Sequence, residues 1–331
     1  MKILRRILLA LLAVIVILIA VAYLLPSKVC IERKATIKAP RELVYFHVNY
    51  LKSWEKWSHW HKMDTTMKIT YSPLTLGKGA FYAWESKNEQ LGTGKYIITE
   101  AAMYDSICND MYFMNSPKPT KGGFRFKEIP EGTEIVWWMQ SDLGYNPFMR
   151  WMGLFFDKMV GKDFEKGLSN LKTLCEGIPP VKVEAVSIPK TIFISIRDTS
   201  SMATIGSKMG QIYGELMVFL TKSGAKEIAP PFTIYHSCTA TSFDMECGIP
   251  VDKVVKPEGR IQNGEMKATN AVVADYYGPY DGTDIGQMAV MRWIKANNKK
   301  NTGICWESYI TDPMAEKNPD KILTKVYMPI E

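Results

Sequence analysis

The stretch "KTIFISIRD" at residues 190–198 is a strand pattern that returns as "KATNAVVADYY" at residues 267–277. Each strand precedes a helix pattern, and the first helix is expected to close at Gly224. Two more strand patterns follow each helix, so the order βαββ occurs twice. One copy is too small to bury a core alone. We therefore expect both copies to share one sheet that carries both helices on the same face.

The stretch "GICWESYITDP" at residues 303–313 places a carboxylate in a strand of the second copy. Successive side chains of a strand alternate between faces, so Glu307 and Tyr309 share one face and Trp306 takes the other. If Trp306 packs against the helices, Glu307 and Tyr309 line the uncovered face. Aligning the two copies by their helix ends puts Tyr235 close to Glu307. The sequence thus predicts a groove with one acid at its base.

The sequence of residues 28–177 predicts a second α+β unit with a different order of helices and strands. A strand at residues 28–39 precedes a short helix that Pro40 opens, and alternating strand patterns fill residues 67–140. A long helix pattern follows Pro147, with a bend expected at Gly161, and it stops before the prolines at 179 and 180. These elements predict one antiparallel sheet around a long helix, with a core or a cavity between them.

The first 27 residues form a separate segment. Residues 7–25 are uncharged and long enough to cross a bilayer as a helix, and Lys2, Arg5 and Arg6 precede them. The positive-inside tendency then predicts a single-pass anchor with a cytoplasmic N-terminus and extracytoplasmic domains. The alternative is a signal peptide cleaved at the small-residue pattern Ala20-Val21-Ala22, which would leave a secreted or periplasmic protein. The apolar run continues past that pattern, which favours the uncleaved anchor.

Composition and motifs exclude several classes of function. The chain has 331 residues, of which 47% are hydrophobic and 23% are charged, and its net charge is +7. These values indicate a folded protein, and no basic stripe or recognition helix points to nucleic acid. His59 and His61 in "WSHWH" are too few ligands for a metal site, so we interpret that segment as an aromatic loop. No metal and no cofactor are predicted.

The cysteines show no paired metal-binding spacing. Outside the cytoplasm Cys238 and Cys247 could bridge two adjacent strands, but the sequence does not determine this pairing. A nucleophile beside a general base is also not recognisable in the sequence, which disfavours covalent catalysis.

Residues 28–177 resemble the START/polyketide-cyclase-like (SRPBCC) superfamily. The resemblance is carried by "IERKATIKAPRELVYFHVNYLKSWEKWSHW" and by "FFDKMVGKDFEKGLSNLKTLCE". It implies a helix-grip fold whose cavity often holds a hydrophobic ligand.

Residues 181–331 resemble the GyrI-like small-molecule-binding domain, which also serves as the effector-binding domain of AraC-type regulators. The matching blocks are "FTIYHS", "DMECGIPV", "ADYYGPYDG", "WESYITDP" and "TKVYMPIE". The resemblance implies an aromatic pocket for a cationic or polar ligand. The implied pocket residues are Glu307, Tyr235, Tyr309, Tyr213, Phe193 and Trp306. Such regulators also carry a DNA-binding domain, which the membrane segment and helix-grip domain replace here, so direct transcriptional control is not expected.

The sequence therefore predicts a membrane-tethered protein that binds small hydrophobic or amphiphilic molecules, cations among them, around Glu307. The alternative is a hydrolase of reactive small molecules in which Glu307 acts as general base on a water. A third reading, a scaffold that only presents surfaces to protein partners, stays open at this stage.

Overall fold

The computed structural model describes residues 2–114, 116–239 and 242–331 of this α+β protein. The chain divides into two compact units, of which the first ends at Ile178 and the second runs from Pro179 to Glu331. The stretch "EGIPPVKVEAV" at residues 176–186, whose two prolines predict a short stiff connector, is only partly a linker, because its second part belongs to strand Lys182–Ile188 of the second unit.

The first unit contains one antiparallel sheet of seven strands in the order β1-β7-β6-β5-β4-β3-β2. Its helices are α1 (Lys2–Leu24), α2 (Arg41–Asn49), α3 (Trp54–Trp57), α4 (His59–Met63) and α5 (Pro147–Gly177). Its strands are β1 (Lys28–Ile37), β2 (Lys68–Tyr71), β3 (Phe81–Glu85), β4 (Thr93–Ala102), β5 (Ser106–Phe113), β6 (Thr120–Ile129) and β7 (Gly132–Asp142). The last strand returns to pair with the first, so the sheet curves around α5 as the alternating patterns predicted.

Helix α5 has clear start and stop signals. The Asn146 side chain accepts hydrogen bonds from the amides of Phe148 and Met149, and Pro147 occupies the first helical position. The helix ends at Gly177, ahead of Pro179, as predicted. It remains a single helix through Gly161, where a Cβ would overlap the guanidinium of Arg33. Close packing against Arg33 therefore accounts for this glycine.

Aromatic side chains fill the space between the sheet and α5. Trp137 stacks on Phe164 with ring centroids 3.9 Å apart, and Trp54, Trp57 and Phe124 are fully buried beside them. The cavity next to Trp60 and Trp137 measures about 10 Å³, which is room for about one water molecule. The interior of the first unit is thus a packed core in this conformation.

The second unit is an eight-stranded sheet in the order β12-β9-β11-β10-β14-β15-β13-β8. Its strands are β8 (Lys182–Ile188), β9 (Thr191–Ser200), β10 (Phe232–Cys238), β11 (Phe243–Pro250), β12 (Gln262–Met266), β13 (Thr269–Tyr277), β14 (Trp306–Tyr309) and β15 (Leu323–Pro329). Its helices are α6 (Ile205–Ser223) and α7 (Asp284–Ala296). Gly224 follows α6 with φ of 63°, the left-handed conformation predicted for it.

The two βαββ copies meet at the centre of this sheet, where β10 pairs with β14. Two strands lie outside the repeat pattern and cross over. Strand β8 precedes the first copy but pairs with β13 of the second, and β12 precedes the second copy but pairs with β9 of the first. This exchange ties each copy to the other at both edges of the sheet.

The helices lie on one face of the sheet and leave its centre between them. Helix α6 packs on β9 and β11 through a cluster that includes Ile196, Leu216 and Cys247. Helix α7 packs on β13 and β15 around Val290 and Val326. The central strands β10 and β14 therefore lie under the gap between the two helices.

Candidate functional site

Glu307 lies in this gap, on the helix-covered face of the sheet. Its strand neighbours are Thr233 of β10 and Val326 of β15, and only 2% of Glu307 is exposed. The acid is therefore enclosed by the central strands below and by residues from both helices above. The site belongs entirely to the second unit.

Four neutral groups hydrogen-bond the buried carboxylate. The hydroxyl of Tyr235 donates to Oε2 at 3.3 Å and the hydroxyl of Tyr309 donates to the same oxygen at 3.4 Å. Thr283, directly before α7, and Gln287, in its first turn, also hydrogen-bond the carboxylate. Donors from both βαββ copies thus converge on one acid.

Burial dominates the acid–base behaviour of this cluster. Loss of hydration raises the pKa of Glu307, and the four hydrogen bonds oppose this shift without cancelling it. Burial also raises the pKa of the Tyr235, Tyr309 and Tyr213 hydroxyls well above the usual value. The tyrosines therefore stay neutral donors, and the carboxylate is the group whose charge changes most easily.

Further tyrosines surround these four hydrogen-bond donors. Tyr213 of α6 donates to the carbonyl of Phe232 at 2.7 Å, and its ring meets that of Tyr309 edge to face with centroids 6.2 Å apart. Tyr280 packs edge to face on the other side of Tyr309 at 5.4 Å and is 39% exposed. Tyr280 consequently marks the side of the cluster that faces solvent.

The prediction that the site lies on the uncovered face is wrong. It assumed that Trp306 packs against the helices, whereas Trp306 stacks on Tyr327 at 5.0 Å on the opposite face of the sheet. An apolar cluster of Phe193, Phe232, Ala271 and Trp306 covers that face. The alternation along β14 was correct, but the choice of face was inverted, because both faces of this sheet carry apolar side chains.

The predicted pocket residues lie on two different faces of the sheet. Tyr235 and Tyr309 hydrogen-bond Glu307, and Tyr213 packs on the ring of Tyr309. Trp306 and Phe193 do not, because they point away from the acid into the opposite cluster. Their contribution is to the core.

Three residues of the site were missed from the sequence. Tyr280, Thr283 and Gln287 come from the turn before α7 and from its start. The turn lies in the block "ADYYGPYDG", which was recognised as a matching block without a role for its individual residues. Amphipathic spacing alone could not find them, since they lie off the apolar stripe of α7.

Both histidines of "WSHWH" lie in the short helix α4, not in the expected loop. His59 is 3.7 Å from Asp163, whereas His61 is buried against Tyr82 and desolvation lowers its pKa to about 4. Over residues 2–114, 116–239 and 242–331, no group of three or more His, Cys, Asp or Glu side chains is placed to hold a metal ion.

Cys238 and Cys247 are both free thiols. They lie on adjacent strands, but the register pairs Cys247 with Thr233 and Cys238 with Phe243. This offset, with Cys247 buried and Cys238 exposed, separates the two sulfurs along the strands. The suggested bridge is therefore not formed.

Comparison with known proteins agrees with this division of the chain. Residues 182–331 match the family described as GyrI-like small molecule binding domain, and residues 28–176 match the family described as polyketide cyclase / dehydrase and lipid transport. The chain thus contains a GyrI-like small-molecule-binding domain preceded by a domain of the polyketide-cyclase-like SRPBCC superfamily, as both resemblances predicted.

The solved structures that resemble the chain are distant. The C-terminal domain of EcmrR is 25% identical, with a TM-score of 0.42 over 46% of this chain and 98% of that chain. EcmrR in its complex with DNA is 22% identical, with a TM-score of 0.44 over 56% of this chain and 72% of that chain. A protein from Chromobacterium violaceum is 12% identical, with a TM-score of 0.34 over 44% of this chain and 96% of that chain. No curated protein matches the chain.

Proposed function

We propose that the second unit binds a small lipophilic cation between α6 and α7, with Glu307 as the counter-ion, and that α1 tethers the protein to a membrane. One observation carries the ligand assignment: a buried carboxylate that accepts hydrogen bonds from four neutral side chains among the described residues and lies beside tyrosine rings.

Electrostatics favours a cation in such a site. A buried carboxylate is costly when ionised without a partner, and a cation restores the lost compensation. Aromatic faces add a cation–π attraction of roughly 0.5–2 kcal/mol. A neutral ligand of the same shape gains only the apolar contacts, so charge is the expected basis of selection.

The cluster is closed as it stands, so binding requires side chains to move. Tyr280 is the exposed ring of the cluster and Tyr309 lies directly beneath it. Rotation of these two rings would open a path from solvent to Glu307. The aromatic core of the first unit is closed as well, with room for about one water molecule beside Trp137.

The tether is supported by α1 itself and by its contacts. Residues Ile3–Leu24 form a helix that is, by length and composition, apolar enough to cross a bilayer. Ala22, at the end of the candidate cleavage pattern, is fully buried, and its carbonyl accepts a hydrogen bond from Arg150. Packing at this position favours an uncleaved anchor over a signal peptide. The basic flank at Lys2, Arg5 and Arg6 favours a cytoplasmic N-terminus.

Hydrolysis with Glu307 as general base is the weaker alternative. A general base must contact a water, whereas the oxygens of Glu307 already accept hydrogen bonds from protein donors. The site is therefore better suited to hold a charge than to activate water.

The test is binding of tetraphenylphosphonium, a permanent lipophilic cation, to the full chain in detergent at neutral pH. We expect binding by the wild type and at least a tenfold loss in Glu307→Gln. The matched control is Glu246→Gln, which removes a partly buried acid from the same sheet, where Glu246 bonds Ser195 and His236. Tetraphenylmethane derivatives made soluble by neutral groups supply the uncharged comparison ligand.

Equal affinity of the cation for wild type and Glu307→Gln would show that Glu307 does not take part in binding. Equal affinity for the charged and neutral ligands would show that the pocket binds through apolar contacts and does not select its ligand by charge.

A further inference from the structure

The first half of α5, residues 147–160, is apolar yet exposed. Phe148, Phe155 and Met159 are 67%, 55% and 57% exposed, and their spacing of seven and four residues places them on one stripe of the helix. The second half of the same helix instead buries Phe164, Leu168 and Leu171 in the core of the first unit. Helix α5 is therefore apolar but exposed before Gly161, and it packs in the core after Gly161.

This exposed half contacts the apolar helix α1. The indole nitrogen of Trp151 donates to the carbonyl of Leu18 at 3.1 Å. Leu18 precedes the end of α1 by six residues, which corresponds to about 9 Å of helix rise at 1.5 Å per residue. Trp151 thus lies beside the last turns of α1, within the part of α1 that is apolar enough to span a membrane.

Arg150 fixes this arrangement at the end of α1. Its guanidinium donates to the carbonyls of Tyr23 at 3.1 Å and Leu25 at 3.3 Å and lies over the ring of Tyr23. Carbonyls at a helix C-terminus lack partners within the helix and carry partial negative charge, so an arginine there both satisfies and stabilises them. The beginning of α5 is therefore held against α1 by its only charged residue between 147 and 156.

Polar contacts begin beside Met159, the last residue of the apolar stripe. Asp157 forms an ion pair with Arg33 at 2.9 Å, and Glu165, about two turns later, pairs with the same guanidinium at 2.7 Å. The change from apolar to charged surroundings along α5 follows the pattern of a helix that passes from a bilayer interface into water.

We propose that residues 147–160 lie in the interfacial layer of the lipid bilayer, beside the end of α1, as a second membrane contact of the first unit. The proposal rests on the proposed tether, because the depth of Trp151 is set by its bond to α1. Trp and Tyr side chains favour this layer, and Tyr145 and Trp151 flank the stripe. The bilayer would then cover the exposed rings of Phe148 and Phe155.

The test uses the full chain in nanodiscs of phosphatidylcholine and phosphatidylglycerol, with Cys30 and Cys238 replaced by serine. A spin label is placed at Phe155→Cys or, as a matched control, at Ser169→Cys, an exposed site on the same helix beyond the stripe. Collision rates with oxygen, which concentrates in lipid, and with a water-soluble nickel chelate report the depth of each label. We expect the oxygen-to-nickel ratio at 155 to exceed that at 169 several-fold.

The outcomes separate this proposal from the tether. If the protein embeds in nanodiscs but the label at 155 meets nickel as readily as the label at 169, the tether stands and the interfacial helix is wrong. If the label at 155 meets neither reagent, a second protein copy covers the stripe and the proposal is again wrong. Failure of the protein to embed at all would overturn the tether and this proposal together.

Discussion

The hydroxyl of Tyr235 lies 3.3 Å from Oε2 of Glu307, and the two residues belong to different βαββ copies. Strand β10 of the first copy supplies the donor and strand β14 of the second supplies the acceptor. The site therefore exists only because the copies join into one sheet at these two strands. The gap between the two helices lies over the same junction, so one feature of the fold positions both the acid and the space above it.

Cation binding should depend on pH through Glu307. The pKa of this carboxyl is raised by burial, so the free protein carries a proton there at higher pH than an exposed glutamate does. A permanent cation binds the ionised form, so its affinity should fall about tenfold for each pH unit below the raised pKa and level off above it. Titrating tetraphenylphosphonium binding from pH 4 to pH 9 measures this profile.

The profile should be flat in Glu307→Gln over the same range. A wild-type profile that is equally flat would contradict the coupling of ligand binding to this carboxyl. A profile retained in the variant would assign the titration to another group.

Glu307→Gln should also stabilise the ligand-free protein at neutral pH. The folded state holds the proton of Glu307 more tightly than the unfolded state does, so this group favours folding at low pH, and the benefit is lost as pH rises through the raised pKa. Removing the ionisable group avoids that loss. A gain of about 1 kcal/mol would raise Tm by roughly 2–4 °C.

Thermal unfolding at pH 5 and pH 8 checks the sign. The difference between variant and wild type should be larger at pH 8 than at pH 5. A variant that unfolds earlier at pH 8 would show that the ionised carboxylate is well compensated by its four donors.

Residue patterns predicted most of the fold but only part of the site. Period-two alternation identified most strands of both units, and the helix stop at Gly224 followed from the conformational freedom of glycine. The pairing of Tyr235 with Glu307 also followed, because aligning two repeats reveals which positions meet at their junction. These features depend on local periodicity or on internal symmetry, and both are visible in a single sequence.

Features that depend on tertiary packing were predicted less well. The face of Trp306 was misassigned because a sheet with apolar side chains on both faces gives no preference from composition alone. Strand β8 was interpreted as a connector, since its pairing with β13 is a contact between distant parts of the chain. The bond from Trp151 to Leu18 is of the same kind and has no signature in the sequence.

Tyr235→Phe should raise the pKa of Glu307 further. The substitution removes one of the donors that favour the ionised carboxylate while keeping the ring. The midpoint of the cation-binding pH profile should therefore move upward, with less than a threefold change in affinity above it. Tyr327→Phe, which alters a tyrosine stacked on Trp306 on the other face, is the matched control and should leave the midpoint unchanged. A downward shift in Tyr235→Phe would contradict the donor role.

Trp306→Ala should reduce stability without a specific effect on binding. Trp306 is buried in the apolar cluster opposite Glu307, and truncating such a side chain typically costs about 3–5 kcal/mol. Chemical denaturation measures the loss, and cation affinity, corrected for the folded fraction, should stay within twofold of wild type. Ile304→Ala, at an exposed position two residues earlier, is expected to change neither quantity appreciably. A large loss of affinity in folded Trp306→Ala would show that Trp306 contributes to the ligand pocket after all.

Tyr280→Ala should speed the association of the ligand. Tyr280 is the partly exposed ring that covers Tyr309, so removing it opens the solvent side of the cluster without touching the carboxylate. We expect the association rate constant of a cationic fluorescent dye to rise several-fold, and the dissociation rate constant to rise as well, because the same opening serves both directions. Stopped-flow fluorescence measures both constants. Tyr277→Ala removes an exposed tyrosine three residues away and should leave both unchanged. If Tyr280→Ala slows association instead, the ligand first docks on this ring, and the path to Glu307 begins with a contact that Tyr280 itself provides.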